Sequence, residues 1–285
     1  MAEARPNVHR RRLGSALRSL RVAAGLSGEE AAAQLGLAGK AALSKIENGR
    51  QRVTGLGLVA FLSVYKVDDE FTKAKIKSLA TLAASGKRTN LLDEYRGAIT
   101  TDFEEYLNLE GLAAQAESYL TIVPGLLQTP AYATAIVAAG QGWSSSREVE
   151  RFVALRMARQ AALRRDEPIR LACILDESAL RRQIGGVDDM RGQLQHLLDA
   201  TEKYPHVTVQ VLPFARGAHA GIDNPFQVLH FPSGPPVVVV DTMTTSLYLE
   251  EDGDIERYET ALDHLRAQAL DSEASRRFIH EIIQD

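Results

Sequence analysis

Before residue 86 the apolar residues of this chain recur only at helical spacing. After residue 90, short alternating and continuous apolar runs appear among the helices. Helices of the first kind can only pack on one another, whereas the later strands need a sheet with helices laid on it, so the pattern predicts an α+β chain of two domains. Ser85-Gly86-Lys87-Arg88-Thr89-Asn90 is polar and contains glycine, which marks the joint. The expected boundaries are residues 1–85 for an all-α domain, 86–90 for a linker and 91–285 for the second domain. A length of 285 residues is sufficient for two modest hydrophobic cores.

Charge changes sign at the same place. Residues 1–90 hold 16 Lys and Arg against 7 Asp and Glu, a balance of +9, and the remainder hold 17 against 30, a balance of −13. A basic module joined to an acidic body suits a polyanion-binding head on something that must not bind nucleic acid. The plainer alternative is a helical bundle whose Lys and Arg only face water. No apolar run reaches the roughly 18 residues of a membrane span, and MAEARPNVHRRRLG has no apolar stretch behind its basic residues, so a cytoplasmic protein is expected. The single cysteine, Cys173, lies in the apolar run Leu171 to Leu175 and is expected to be a buried, inert thiol.

Leu13, Leu17, Leu20 and Ala24 fall on one face of a first helix that Gly25 ends. Ser27-Gly28-Glu29-Glu30 has the spacing of a capping box and opens a short second helix ending near Leu35-Gly36. A third helix turns Leu43 and Ile46 inward and stops at Asn48-Gly49; Thr54 caps a fourth, and Asp68 to Glu70 open a fifth. Two short helices joined by a tight turn in a basic five-helix domain are the arrangement that places one helix in a DNA major groove. The third helix puts Lys40, Ala41, Ser44 and Lys45 on its outer face, and Arg50 and Arg52 follow in the loop. Ser27, at the start of the second helix, joins them as a candidate DNA contact.

In the second domain the pattern predicts helices at Leu91 to Ala116, Ala131 to Ala139, Arg147 to Arg164, Glu177 to Gln183 and Val187 to Lys203. Strands are expected at Tyr119 to Val123, Ile169 to Leu175, Val207 to Leu212, Phe226 to Phe231, Pro236 to Val240 and Ser246 to Leu249. Helices at Asp254 to Leu270 and Ser272 to Ile283 close the chain. Short connections after Val207 point to a mainly antiparallel sheet with packed helices.

Leu17-Arg18-x-x-Arg21-x-x-Ala24-Gly25-Leu26-Ser27, Ala31-Ala32, Leu35-Gly36-Leu37 and Leu43-Ser44-Lys45-Ile46-Glu47-Asn48-Gly49-Arg50 resemble the XRE-type helix-turn-helix regulators. The resemblance implies that Arg21 and Glu47 pair, bracing the first helix against the third and offering the guanidinium to phosphate; an ordinary surface ion pair is the alternative. Two departures stand out. Gly28 replaces the glutamine usual there, and one extra residue lies between Gly36 and Glu47, with Ala38-Gly39 where a serine cap is usual. Absorbed in the turn, that residue leaves the helix register intact; within the helix it would rotate every later side chain by about 100°.

The strings Tyr106-Leu-x-Leu-Glu110, Val123-Pro-Gly-Leu-Leu-Gln-Thr-Pro130, Arg156-x-x-Arg159-Gln160 and Leu175-Asp-Glu-x-Ala-Leu180 resemble the C-terminal domain of actinobacterial XRE regulators classed as antitoxin-like. This resemblance implies a DNA-binding regulator, often with a small acidic partner protein encoded beside it.

No phosphate-cradling glycine loop, nucleophile elbow, zinc-helix motif or Cys-His cluster occurs, so neither an enzyme nor a cofactor is expected. The seven histidines never fall at helical ligand spacing, and His206, His219 and His230 could meet only through folding; a metal site is not expected. Asp176 and Glu177 follow a buried strand and read as a helix cap. Pro124, Gly125, Leu126 and Leu127 either line a cleft for a small-molecule effector or partner peptide, or form a tight turn. Paired half-sites about 34 Å apart on double-stranded DNA would call for a homodimer. A regulatory scaffold or antitoxin acting only by protein contact is the reading from another class.

Overall fold

A computed structural model describes residues 8–85, 101–140, 145–232 and 234–284. The chain divides into two compact units, Met1–Arg88 with Phe231–Pro236, and Thr89–His230 with Val237–Asp285. The expected linker 86–90 lies outside the described residues, as do residues 91–100 of the expected helix after it.

The first unit contains α1 (Val8–Ala23), α2 (Gly28–Gln34), α3 (Lys40–Glu47), α4 (Gly55–Val64) and α5 (Glu70–Ser85). Leu13 and Leu17 of α1, Ala31 and Ala32 of α2, Leu43 and Ile46 of α3, Phe61 of α4, and Ile76 and Leu79 of α5 form one buried core. The ends follow from local chemistry. Ser27 Oγ accepts from the Glu30 amide at 3.2 Å while Glu30 Oε2 accepts from the Ser27 amide at 2.9 Å, completing the capping box. Thr54 caps α4 through the Gly57 amide, and Asp69 caps α5 through the Thr72 amide.

The second unit, among its described residues, contains α6 (Thr101–Leu112), β1 (Gln115–Leu120), α7 (Pro130–Ala139), α8 (Ser146–Arg159), β2 (Arg170–Asp176), α9 (Glu177–Arg181) and α10 (Val187–Lys203). It continues with β3 (Val207–Leu212), β4 (Phe226–His230), β5 (Val237–Asp241), β6 (Ser246–Leu249), α11 (Asp252–Gln268) and α12 (Ser272–Gln284). The strands form one mixed sheet in the order β3-β2-β1-β4-β5-β6. The three pairings that involve β4, β5 and β6 are antiparallel, as the short later connections require. β1, β2 and β3 run parallel, and the chain supplies the crossovers that parallel pairing needs through α7 and α8, and then through α9 and α10. The expected helix over Leu91 to Ala116 runs too far: Gln115 and Ala116 already pair with Arg170 and Leu171 as the start of β1.

Tyr119, Ile174, Phe226, Val228, Val238 and Val240 of the sheet pack with Ile255, Leu262 and Leu265 of α11. The outer strand β3 does not leave Val211 unpaired: Ser275 Oγ of α12 accepts from its amide at 2.9 Å, and its carbonyl accepts from the Leu270 amide at 2.8 Å. Cys173 is buried, and burial pushes its thiol up to about 12.

Candidate nucleic-acid interface

The helix-turn-helix of α2 and α3 is held by α1. Arg21 Nε donates to Glu47 Oε1 at 2.7 Å and Nη2 donates to Oε2 at 3.2 Å, a two-pronged pair between α1 and the end of α3. Its Nη1 donates to the Leu26 carbonyl at 2.8 Å, which ties the start of the α2 segment to the same guanidinium. The Arg21 and Glu47 side chains are only 13% and 9% exposed, so this is no ordinary surface pair. The hydrogen bond that Arg21 donates to Glu47 holds the guanidinium above its ordinary range.

Two glycines let the helices approach that closely. A Cβ on Gly14 would lie 2.3 Å from the Glu47 carbonyl oxygen and 2.6 Å from that of Ile46. Gly49, at φ +69°, turns the chain after α3, and a Cβ there would lie 2.6 Å from the Arg11 amide nitrogen. All of these obstacles are backbone atoms and cannot swing aside. Gly14→Ala is therefore expected to destabilise the first unit by about 1–3 kcal/mol, read as a lower urea midpoint; an unchanged midpoint would show that α1 and α3 can separate at little cost.

With the inner face so fixed, the outer face is cationic. Lys40, Ala41, Ser44 and Lys45 are exposed, as are Ser27 before α2 and Arg50 and Arg52 after α3, whereas Leu43 and Ile46 are buried. α3 is one uninterrupted helix, and the positive-φ glycines Gly36 and Gly39 both lie in the turn before it. Gly39 takes the cap position without a side-chain bond. Asn48 Nδ2 donates to Ser44 Oγ at 3.0 Å.

Sequence reasoning missed how Gly28 is used. A Cβ there would meet Lys40 Cγ at 3.2 Å, so the Lys40 stem lies across the start of α2, and its ammonium is 3.3 Å from Glu29 Oε1. A groove of about 300 Å3 opens here, edged by Arg18, Arg21, Gly28, Lys40, Ser44 and Asn48. Arg18 was visible as the residue one turn before Arg21 on α1, which places both on one side of that helix.

The other sequence candidates separate. Leu126 and Leu127 are buried, while Pro124 and Gly125 line a cavity of the second unit. The turn is fastened by two buried glutamines: Gln128 Nε2 donates to the Val123 carbonyl at 2.7 Å, and Gln193 Nε2 donates to that of Leu127 at 2.7 Å. Asp176 caps α9 through the Ser178 amide at 2.9 Å. His206, His219 and His230 go to different partners, the Leu163 carbonyl, Tyr119 and Glu117 respectively. Among the described residues no group of three or more His, Cys, Asp or Glu is placed to hold a metal ion. No helix among them is long and apolar enough to cross a membrane.

A family model described as a helix-turn-helix domain matches residues 12–73, and one described as a domain of unknown function, DUF5753, matches residues 103–281. Comparison with curated proteins and with solved structures gives no match. The second of these matches spans more than half of the chain, and the chain therefore belongs to the DUF5753 family, carrying a helix-turn-helix domain ahead of it.

Proposed function

We propose that this chain is a sequence-specific DNA-binding transcriptional regulator of the XRE type, acting inside the cell as a homodimer. Its C-terminal unit receives a signal from a small partner protein or a small molecule. One observation supports the DNA reading above the rest: α3 offers exposed Lys40, Ala41, Ser44 and Lys45, followed by Arg50 and Arg52, while its other face is buried and its end is clamped by Arg21. Phosphates would be met by Arg18, Arg50, Arg52 and the amides at the start of α2, and base edges by Lys40, Ala41, Ser44 and Lys45.

Lys45→Ala and Arg50→Ala are each expected to weaken binding to a duplex selected by the protein from a random pool. Arg50→Ala should also flatten the dependence of log K on log salt by roughly one unit for each phosphate that the guanidinium touches. Gel-shift titration at several salt concentrations measures both. Unchanged affinity in the two variants would remove α3 from the interface.

A second reading, a regulatory scaffold or antitoxin that acts by protein contact, draws on Gly28 and on the pairing of Lys40 with Glu29, which together leave no side chain at position 28 to reach a duplex, an acidic first turn in α2, and one α3 cation engaged. Failure of the intact protein to enrich any duplex from the pool at low salt would favour it.

A further inference from the structure

The turn at Pro124 and Gly125 borders a cavity of about 160 Å3 in the second unit, lined on its apolar side by Phe103, Tyr106 and Phe226. Two arginines of α8 reach it, and they differ in their commitments. Arg159 is spent: its Nε and Nη2 donate to the two oxygens of Glu110 at 2.9 and 2.7 Å. Among the described residues, Arg156 has no carboxylate in contact. Its Nη1 donates to the neutral Gln128 Oε1 at 2.8 Å, and its Nε is buried without a hydrogen-bond partner. Gly125 lets the backbone pass close to both, since a Cβ there would lie 3.5 Å from Arg159 Nη1 and 3.8 Å from Arg156 Nη1.

A guanidinium largely withdrawn from water without a counter-ion is costly, and an anion arriving in the cavity that Arg156 lines would supply the missing charge. Burial, and after it the like charge of Arg159, lowers Arg156 to about 10, so it still carries its proton at neutral pH. Size sets the rest of the ligand. A closed apolar cavity of about 150 Å3 holds one benzene ring; the volume here is similar but opens to solvent, so one ring fits with its polar group toward the mouth. Asp241, exposed at the lining, adds a negative charge that disfavours a dianion.

We propose that this cavity is a binding site for an apolar monocarboxylic acid about the size of one aromatic ring, with its carboxylate on Arg156 and its body against Phe103, Tyr106 and Phe226. The assignment rests on the reading of the C-terminal unit as the receiver of a signal, and it specifies the signal's chemistry.

Calorimetric titration of the full chain with benzoate and phenylacetate tests it, with benzamide as the neutral isostere and inorganic phosphate as the bare anion. At least one of the two acids is expected to bind one to a chain, with benzamide weaker by about tenfold or more, as loss of a charge-assisted hydrogen bond implies. Arg156→Gln should weaken the acid by a similar factor, and Asp241→Asn, at an exposed position, should tighten it. The site is overturned if neither acid binds at millimolar concentration, if benzamide or phosphate binds as tightly, or if a folded Arg156→Gln chain keeps full affinity. Should Arg156→Gln fail to fold, no tightening by Asp241→Asn overturns it instead. The gel shift with the selected duplex, run with and without acid, separates the two readings. Acid bound without change in DNA affinity supports the site and overturns sensing by it; no acid bound while the duplex still shifts overturns the site alone.

Discussion

Glu110→Ala is expected to destabilise the second unit by about 3–5 kcal/mol, because it strands a buried guanidinium. Glu110 and Arg159 are 6% and 5% exposed, and the carboxylate takes both prongs of the arginine. The Tyr106 hydroxyl sits between Glu110 Oε2 at 2.9 Å and the Gln227 side-chain amide at 2.8 Å, so α6, α8 and β4 meet in one polar knot. Burial, then the neighbouring Glu110 charge, raises the Tyr106 phenol well above its ordinary range, which keeps it a proton donor to the carboxylate. Removing Glu110 leaves Arg159 desolvated and unpaired, and a unit of this size should then melt roughly 10 °C lower. Glu110→Leu combined with Arg159→Met removes both charges and should recover much of the loss. A single-variant cost below about 1 kcal/mol would mean that water reaches the pair.

Arg21→Ala is expected to cost about 2–4 kcal/mol in the first unit and to lower DNA affinity together with it. The change leaves the Glu47 carboxylate, 9% exposed, without its cation and removes the donor to the Leu26 carbonyl. The end of α3 then loses its tie to α1, which is what aims the outer face. Arg21→Lys keeps the charge but not the fork, and should restore only part of either quantity. Equal stability and equal gel-shift affinity for Arg21→Ala and the unaltered protein would show that the brace is dispensable.

How far each feature could be read in advance depends on the distance over which it is determined. The capping box of Ser27 and Glu30, the cap of Asp176 on α9 and the stop at Gly49 are settled within a few residues, and each was legible. The exposed face of α3 was legible because helical periodicity alone turns Leu43 and Ile46 inward. The direction of β1 against β2 was not, since a crossover through two helices leaves no mark on the strands it joins. Nor was the boundary at Gln115: the run from Leu107 to Ala116 carries apolar residues at a spacing that suits a helix, and sheet pairing with Arg170 decided otherwise. Gly14 gave no signal in one sequence, because an interior helix glycine acquires its reason only from the carbonyls of Ile46 and Glu47 lying against it.

The sequence by itself determined a change of charge sign near residue 90, the helices of the first unit and the residues that its third helix shows to solvent, because helical period, capping and charge are local or additive properties. Only the tertiary structure decided which arginine of the second unit is neutralised: Arg159 meets Glu110, 49 positions away. The pairing of Arg21 with Glu47, 26 positions apart, was expected from the family resemblance and not from the spacing. Arg156, three residues from Arg159, is left facing a cavity. Whether a buried charge finds its partner depends on which elements pack together, and that is a property of the folded core.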